Sequence, residues 1–340
     1  MRVRFGFVAM STILENASPS KTMTYASFSK LADREAATRR LEQIAQQNLH
    51  NTLRLLKHAY HHDVKLYRFS SKLIPLSTHQ ALAEWNPYPS LADDFKAIGD
   101  YVQEKGIRVS LHPDHFCVFS THRPEVLINS IRDIEYHVSM LEAMGLDERS
   151  KCNIHMGGAY GDKVTSSARF IEQFSSIPNR LKYRITLEND DKTFNVEETL
   201  LAAEAVAVPM VLDIHHYEVN AGHISELMLF EQLWPRIQRT WEIEIQRLEL
   251  SSGEQLPVKI HASSPKSASD RRGHADLVEA APVLKFLRGI APMTSYVDCM
   301  LEAKSKDQAV FQLMDELKQL ALSSSDITIV DDATIEIMSV

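Results

Sequence analysis

Short apolar runs rich in β-branched and aromatic residues alternate along the chain with longer stretches whose apolar positions recur every three to four residues. The first pattern predicts strands over residues 3–9, 66–70, 108–111, 153–155, 184–187, 210–214, 258–262 and 296–301. The second predicts helices over 36–60, 124–144, 196–206, 281–287 and 307–320. Pro124 suits a first helical turn, with Thr121 or His122 ahead of it as a start signal. Eight strands separated by helices is the count of a (β/α)8 TIM barrel, an α/β fold. No Pro-, Gly- or Ser-rich linker divides the chain, so the expectation is a single barrel domain over 1–322 and a C-terminal tail over 323–340, an edge strand or a loose end. An open doubly wound sheet is the alternative, but it binds at one switch point and does not draw ligands from nearly every strand.

The predicted strand ends carry a second pattern. Leu111-His112-Pro113, Ile154-His155-Met156, Leu187-Glu188-Asn189, Asp213-Ile214-His215-His216, Lys259-Ile260-His261 and Leu301-Glu302-Ala303 each place a metal-type ligand where a short apolar run stops. A single such histidine is most simply a core residue with a satisfied hydrogen bond. A series of them implies one shared site, because the strand ends of a barrel converge on one face. His, Asp and Glu meeting there build a multinuclear metal centre. Asp213 and His216 are three apart and would face opposite sides of an ideal strand, so the strand must end or bulge by His216, leaving His215 to point elsewhere. Lys259 and His261 are two apart and both face inward. An interior lysine is costly unless paired or chemically altered. Glu302 alternatively pairs with Lys304 or Lys259, and His274 by composition alone reads as a surface histidine.

Composition adjusts this picture only slightly. The chain has 340 residues, 44% of them hydrophobic, which is ordinary for a globular protein with a real core. Its three cysteines lie far apart with no CxxC spacing, excluding a zinc ribbon or a disulfide framework. The first residues read as a strand rather than a signal peptide, and no run is long enough to span a membrane, so a cytoplasmic protein is expected. A net charge of −8 argues weakly against a nucleic-acid partner. That count omits bound cations, and the loops after the strands hold Lys163, Lys192, Lys266, Arg271, Arg272, Lys304 and Lys306, placed to contact phosphates.

Several segments together resemble the UV damage endonucleases: Phe5-Gly6-Phe7-Val8, Tyr67-Arg68-Phe69-Ser70-Ser71, Pro75-Leu76-Ser77-Thr78-His79, His112-Pro113, His155-Met156-Gly157-Gly158-Ala159-Tyr160-Gly161, Leu187-Glu188-Asn189-Asp190, Lys259-Ile260-His261-Ala262-Ser263 and Glu302-Ala303-Lys304. The resemblance covers the chain to about residue 320 and implies a TIM barrel similar to endonuclease IV and xylose isomerase. It implies a DNA repair enzyme that nicks damaged double-stranded DNA immediately 5′ of a UV photoproduct, a cyclobutane dimer or 6-4 product, leaving a 3′-hydroxyl and a 5′-phosphate. It also implies up to three divalent metals, commonly manganese, with Zn or Mg as other candidates. The implied ligands are His112, His155, Glu188, Asp213, His216, His261, His274 and Glu302. Lys259 matches a lysine that can be carboxylated, and His79 a further active-site histidine, so Glu188, Lys259 and His79 are the implied catalytic residues. Contacts to DNA or lesion would come from Phe7, His115, Phe116, Tyr160, Lys163, Lys192, Arg271 and Arg272. The chain departs from the pattern at Ala9-Met10-Ser11, where the family tends to place an Asn, and at His115, where it has a Gln before the aromatic Phe116. A monomer with no obligate protein partner is expected. The alternatives are a metal-dependent sugar isomerase or epimerase on the same barrel, and a metal-dependent DNA-binding protein without catalysis.

Overall fold

The computed structural model describes residues 1–113 and 116–338. Eight parallel strands pair in sequence order: β1 (Arg2–Val8), β2 (Leu66–Arg68), β3 (Arg108–Leu111), β4 (Lys151–His155), β5 (Ile185–Glu188), β6 (Met210–Asp213), β7 (Val258–Ala262) and β8 (Tyr296–Leu301). β8 pairs with β1 and β1 with β2, so the sheet closes. An outer helix follows each strand: α1 (Arg34–His61), α2 (Ala92–Lys105), α3 (Pro124–Ala143), α4 (Lys163–Ser175), α5 (Val196–Val206), α6 (Trp234–Arg247), α7 (Ala280–Ile290) and α8 (Asp307–Ala321). The expected (β/α)8 barrel is the observed one.

Three helices, α2, α4 and α6, escaped the periodicity reading. Each buries a narrow stripe under a charged surface, such as Phe95, Ile98 and Val102 on α2 or Trp234, Ile237 and Trp241 on α6. The start of α3 also differs: Pro124 does open it, but the cap is Arg123 with no side-chain bond, while the Thr121 hydroxyl accepts from the Arg123 N–H at 3.1 Å.

Strand alternation divides the residues between two environments. One set (Phe5, Phe7, Tyr67, Val109, Ile154, Leu187, Leu212, Ile260 and their like) faces the helices and forms the main hydrophobic core. The other set faces the barrel axis and is mostly polar: Arg4, Arg68, Arg108, Ser110, Asn153, Thr186, Glu188, Asp213, Lys259, His261, Asp298 and Glu302. A small apolar cluster of Val8, Leu66 and Met300 interrupts it. Barrel interiors are commonly packed with branched aliphatic side chains. Here hydrogen bonds fill the axis instead. Arg4 donates to both oxygens of Asp298 at 2.7 and 2.9 Å, and Arg108 donates to Asp298 at 2.7 Å. Gly6 makes the closure possible: a Cβ there would meet the Leu66 carbonyl oxygen at 2.1 Å.

β1 reaches β2 only at its C-terminal end, through Phe7 and Val8. At the other end a hairpin of β9 (Ile327–Asp331) and β10 (Thr334–Ile337) occupies the seam, with β10 antiparallel to Arg2, Val3 and Arg4. Residues from the segment expected as a tail therefore extend the sheet at the end of the barrel opposite the ligand-bearing strand ends. Among the described residues no helix is long and apolar enough to cross a membrane.

Candidate metal centre

The eight expected ligand side chains meet at one mouth of the barrel, around Glu188. Two groups have ligand atoms within 4.8 Å of one another: His112, His155 and Glu188, and Glu188, Asp213, His261 and Glu302. His216 Nδ1 lies 3.7 Å from Glu188 and 3.8 Å from Asp213, and His274 Nδ1 lies 3.9 Å from Glu302. Glu188 belongs to both groups and is 1% exposed.

Local sequence explains how each ligand is aimed. β6 stops at Asp213, whose carboxylate caps the following helical turn (Ile214–Val219) by accepting from the His216 N–H at 2.7 Å. The strand thus ends before His216, and the turn swings its ring toward the acids. Asn189 braces this corner: its side chain accepts from the Asp213 N–H at 2.9 Å and donates to the Asp213 carbonyl at 3.0 Å. Its own carbonyl accepts from His216 Nδ1 at 2.9 Å. His112 Nδ1 donates to the Pro113 carbonyl at 2.8 Å and His155 Nδ1 to the Glu188 carbonyl at 3.2 Å. These bonds put a proton on each Nδ1 and leave Nε2 as the metal-facing atom. Both Nε2 atoms face Glu188 Oε2, at 3.3 and 3.9 Å.

The electrostatics are those of buried carboxylates among imidazoles. Burial alone would push Glu188 up, but His261, His155 and His112 outweigh it and hold the carboxyl well below the usual range. Glu302 is likewise held down, against burial, by Arg68 and His261. His216 is pushed down by burial, but Asp213, Glu188 and Glu302 together raise it to about 9. Lys259 is buried near these groups and donates to Ser110 Oγ at 2.8 Å. Burial, then the cations Arg108 and Arg68, lower it to about 7.

The residues fit a group of divalent cations. Asp213 Oδ2 and His261 Nε2 are buried without a hydrogen-bond partner, an arrangement that costs free energy unless something accepts their lone pairs. A mixed imidazole and carboxylate donor set suits divalent ions such as Mn, Zn or Fe.

Other expected site residues fall in different places. Phe7 is fully buried, edge-on to Tyr67 at 5.4 Å. It shares the helix-facing side of β1 with Val3 and Phe5, so it has no face open to a base, and the resemblance misplaced it. His79 caps a short turn, accepts from the Ala81 N–H at 3.2 Å and stacks on Tyr25 at 4.1 Å, and it belongs to neither ligand group. Phe116 is 73% exposed and Tyr160, edge-on to His122, is 46% exposed. His115 lies outside the described residues. Lys192 and Arg271 are exposed, whereas Lys163 pairs with Glu198 at 2.9 Å and Arg272 lies 3.9 Å from Asp191.

Several participants were missed. Arg68 donates to Glu302, and Asn153 donates to Glu188 while accepting from Thr186 Oγ1 at 2.8 Å. A signal for Asn153 was present, since it sits two residues before His155 and must share its inward face. His112, His155, His216, His274 and Glu302 line a cavity of about 870 Å³ that also takes in Arg68, Lys72 and Lys306.

A family model described as UV-endonuclease UvdE matches residues 3–333. A UV DNA damage endonuclease of Halalkalibacterium halodurans is 41% identical over 337 residues, covering 99% of each chain. The solved structure of SacUVDE is similar with a TM-score of 0.77 at 26% identity, covering 94% of this chain and 99% of its own. Endonuclease IV from Thermus thermophilus shares the fold, with a TM-score of 0.54 at 13% identity over 94% of this chain and all of its own.

Proposed function

The chain belongs to the UV-endonuclease UvdE family, and from that premise we propose that it nicks DNA immediately 5′ of cyclobutane dimers and 6-4 products by hydrolysis assisted by several divalent cations, leaving a 3′-hydroxyl and a 5′-phosphate. One observation carries the chemistry: eight ligand-type side chains from separate strand ends and loops join around one buried carboxylate, Glu188. Glu188 would bridge two cations, with His112 and His155 on one side and Asp213, His261 and Glu302 on the other. His216 and His274 would hold a third. When bound, such cations supply Lewis acidity, activating water and stabilising charge on phosphate oxygens.

The chain's own residues supply orientation and charge balance. Asn153 and the imidazoles fix the Glu188 carboxylate, and Asn189 fixes Asp213 and His216 relative to each other. Lys259 stands behind the acids with a pKa near neutrality, so its charge, or its chemical modification, tunes the field on them. The exposed rings of Phe116 and Tyr160 would meet distorted bases. A photodimer is already poorly stacked, so drawing it toward such rings costs less than it does for intact DNA. The sugar isomerase alternative shares only the barrel, and family membership decides for the endonuclease.

The test is incision of UV-irradiated supercoiled plasmid with Mn2+, with and without chelator, followed by end-labelling of the nick. Nicked circles ending in 3′-hydroxyl next to the lesion support the reading. Intact plasmid alongside interconversion of a ketose and an aldose overturns it.

A further inference from the structure

One cation of the cavity is held by its backbone in an unusual way. Lys306, between β8 and α8, has φ 53° and ψ −119°. These are the dihedrals of the first central residue of a type II′ turn, a position normally taken by glycine. The turn is complete: the Gln308 N–H donates to the Ser305 carbonyl at 3.0 Å. The turn is tied down from outside as well, because the Thr12 backbone N–H donates to Asp307 at 2.9 Å and the Thr12 hydroxyl to the Ser305 carbonyl at 3.0 Å. A side chain in this region of φ/ψ space is strained and persists only where the surrounding structure holds it. The fold carries that strain at a position where glycine would avoid it.

The strained residue lines the metal cavity. Its ammonium is half-buried and is pushed down by burial and then by Arg68, against the pull of Glu302. Among the described residues no carboxylate lies within 4.0 Å of its Nζ. Of the neighbouring cations, Arg68 is committed to Glu302, Lys304 lies 4.0 Å from Asp276 and Arg272 is near Asp191, while Lys72, also without a carboxylate within 4.0 Å among the described residues, is exposed rather than half-buried. A desolvated ammonium without a counter-anion, lining a site that takes a phosphodiester, is suited to a phosphate oxygen.

We propose that Lys306 is a substrate-contacting residue that binds a non-bridging oxygen of the scissile phosphate or its immediate neighbour, and that its strained turn is kept to aim it. This rests on the endonuclease reading above, since it places a DNA phosphate in the cavity.

The variants are Lys306→Gly, Lys306→Gln and Lys306→Arg, compared with wild type on irradiated plasmid with Mn2+. Glycine removes the side chain and the strain together, so Tm should hold or rise by about 2 °C. Metal stoichiometry should be unchanged. For Gly and Gln, kcat/KM should fall about 10- to 100-fold, and the log–log salt dependence of DNA binding should become shallower by about one unit. Arginine should restore part of the loss. If wild type nicks and Lys306→Gly nicks as well, with the same salt slope, the assignment of Lys306 is overturned while the endonuclease reading stands. If Lys306→Gly melts below wild type or loses metal, the lysine acts through the fold, and the proposal is overturned too. Failure of wild type itself to nick overturns the reading beneath it.

Discussion

At the scale of single residues, the site depends on Glu188 more than on any other group, because both candidate ligand groups share it. Glu188→Gln keeps the shape but removes the charge with which Glu188 would hold cations in both groups. The expected loss is on the order of 10³-fold in kcat, measured as single-turnover nicking. Retained nicking would mean that the two groups work independently. Asn153 acts one step back. Its amide holds Glu188 and is itself held by Thr186. Asn153→Ala should weaken Mn2+ binding or activity about 10- to 100-fold, seen by titration calorimetry beside kinetics. Wild-type values in both would reduce Asn153 to packing. Seven of the eight candidate ligands were legible because alternation and strand ends are properties of the sequence; His274, in the long loop after β7, came only from the family resemblance. Arg68 and Asn153 were legible only as inward-facing residues: which acid each one meets depends on neighbouring strands far away in the chain. Phe7 shows the opposite failure, since its own alternation with Val3 and Phe5 placed it outside the barrel while family likeness placed it at the lesion.

At the scale of elements, strands were easier to read than helices. A strand's apolar run is continuous on its core-facing side, whereas α2, α4 and α6 show only a thin apolar stripe among charges. The segment after residue 323 could be read as a strand but not located, since its partner β1 is at the other end of the chain. Its weight can be estimated from Ile327, Ile335 and Ile337, which are all buried. Each contributes roughly 1.5–3 kcal/mol. Truncation after residue 325 should lower Tm by about 10 °C in a thermal melt, while nicking at low temperature persists, because the hairpin lies at the end of the barrel away from the ligands. Equal loss of activity and stability would show that the seam controls the site.

A second element-scale prediction concerns pH. Lys151 on β4 lies against Glu244 on α6, yet burial pushes it from 10.5 to about 8. Between those values the unfolded chain holds the proton that the native chain has shed, so this group's contribution to stability rises with pH across the window. Glu244 keeps Arg247 as a partner at 2.7 Å in a Lys151→Met protein. That variant should lose part of the slope of stability against pH between 8 and 10, at most about 1.4 kcal/mol per unit. Denaturant unfolding at three pH values checks this. Identical slopes would mean that Glu244 keeps Lys151 charged.

For the whole molecule, the net charge of −8 and a polyanionic substrate pose a conflict that divalent cations at the candidate centre would resolve. Glu188, Asp213 and Glu302 concentrate negative charge at the mouth where the proposed DNA substrate would dock. Without cations the histidines supply the balance, as the raised His216 and His261 indicate. Divalent ions bound by the native cluster, and by no comparable cluster in the unfolded chain, stabilise the fold by RT ln(1 + [L]/Kd), about 2.7 kcal/mol at a hundredfold excess over Kd. Tm should therefore rise with Mn2+ concentration and fall when chelator is added, and affinity for an irradiated duplex should fall with it. Glu188→Gln should flatten the Tm response, since the shared carboxylate sets the affinity of both groups. Scanning fluorimetry across a Mn2+ series separates the possibilities. A wild-type Tm indifferent to Mn2+ and chelator would mean that the converging side chains form a polar core braced by Arg68 and the histidines, and the metal-assisted mechanism would fall even if the protein still bound damaged DNA.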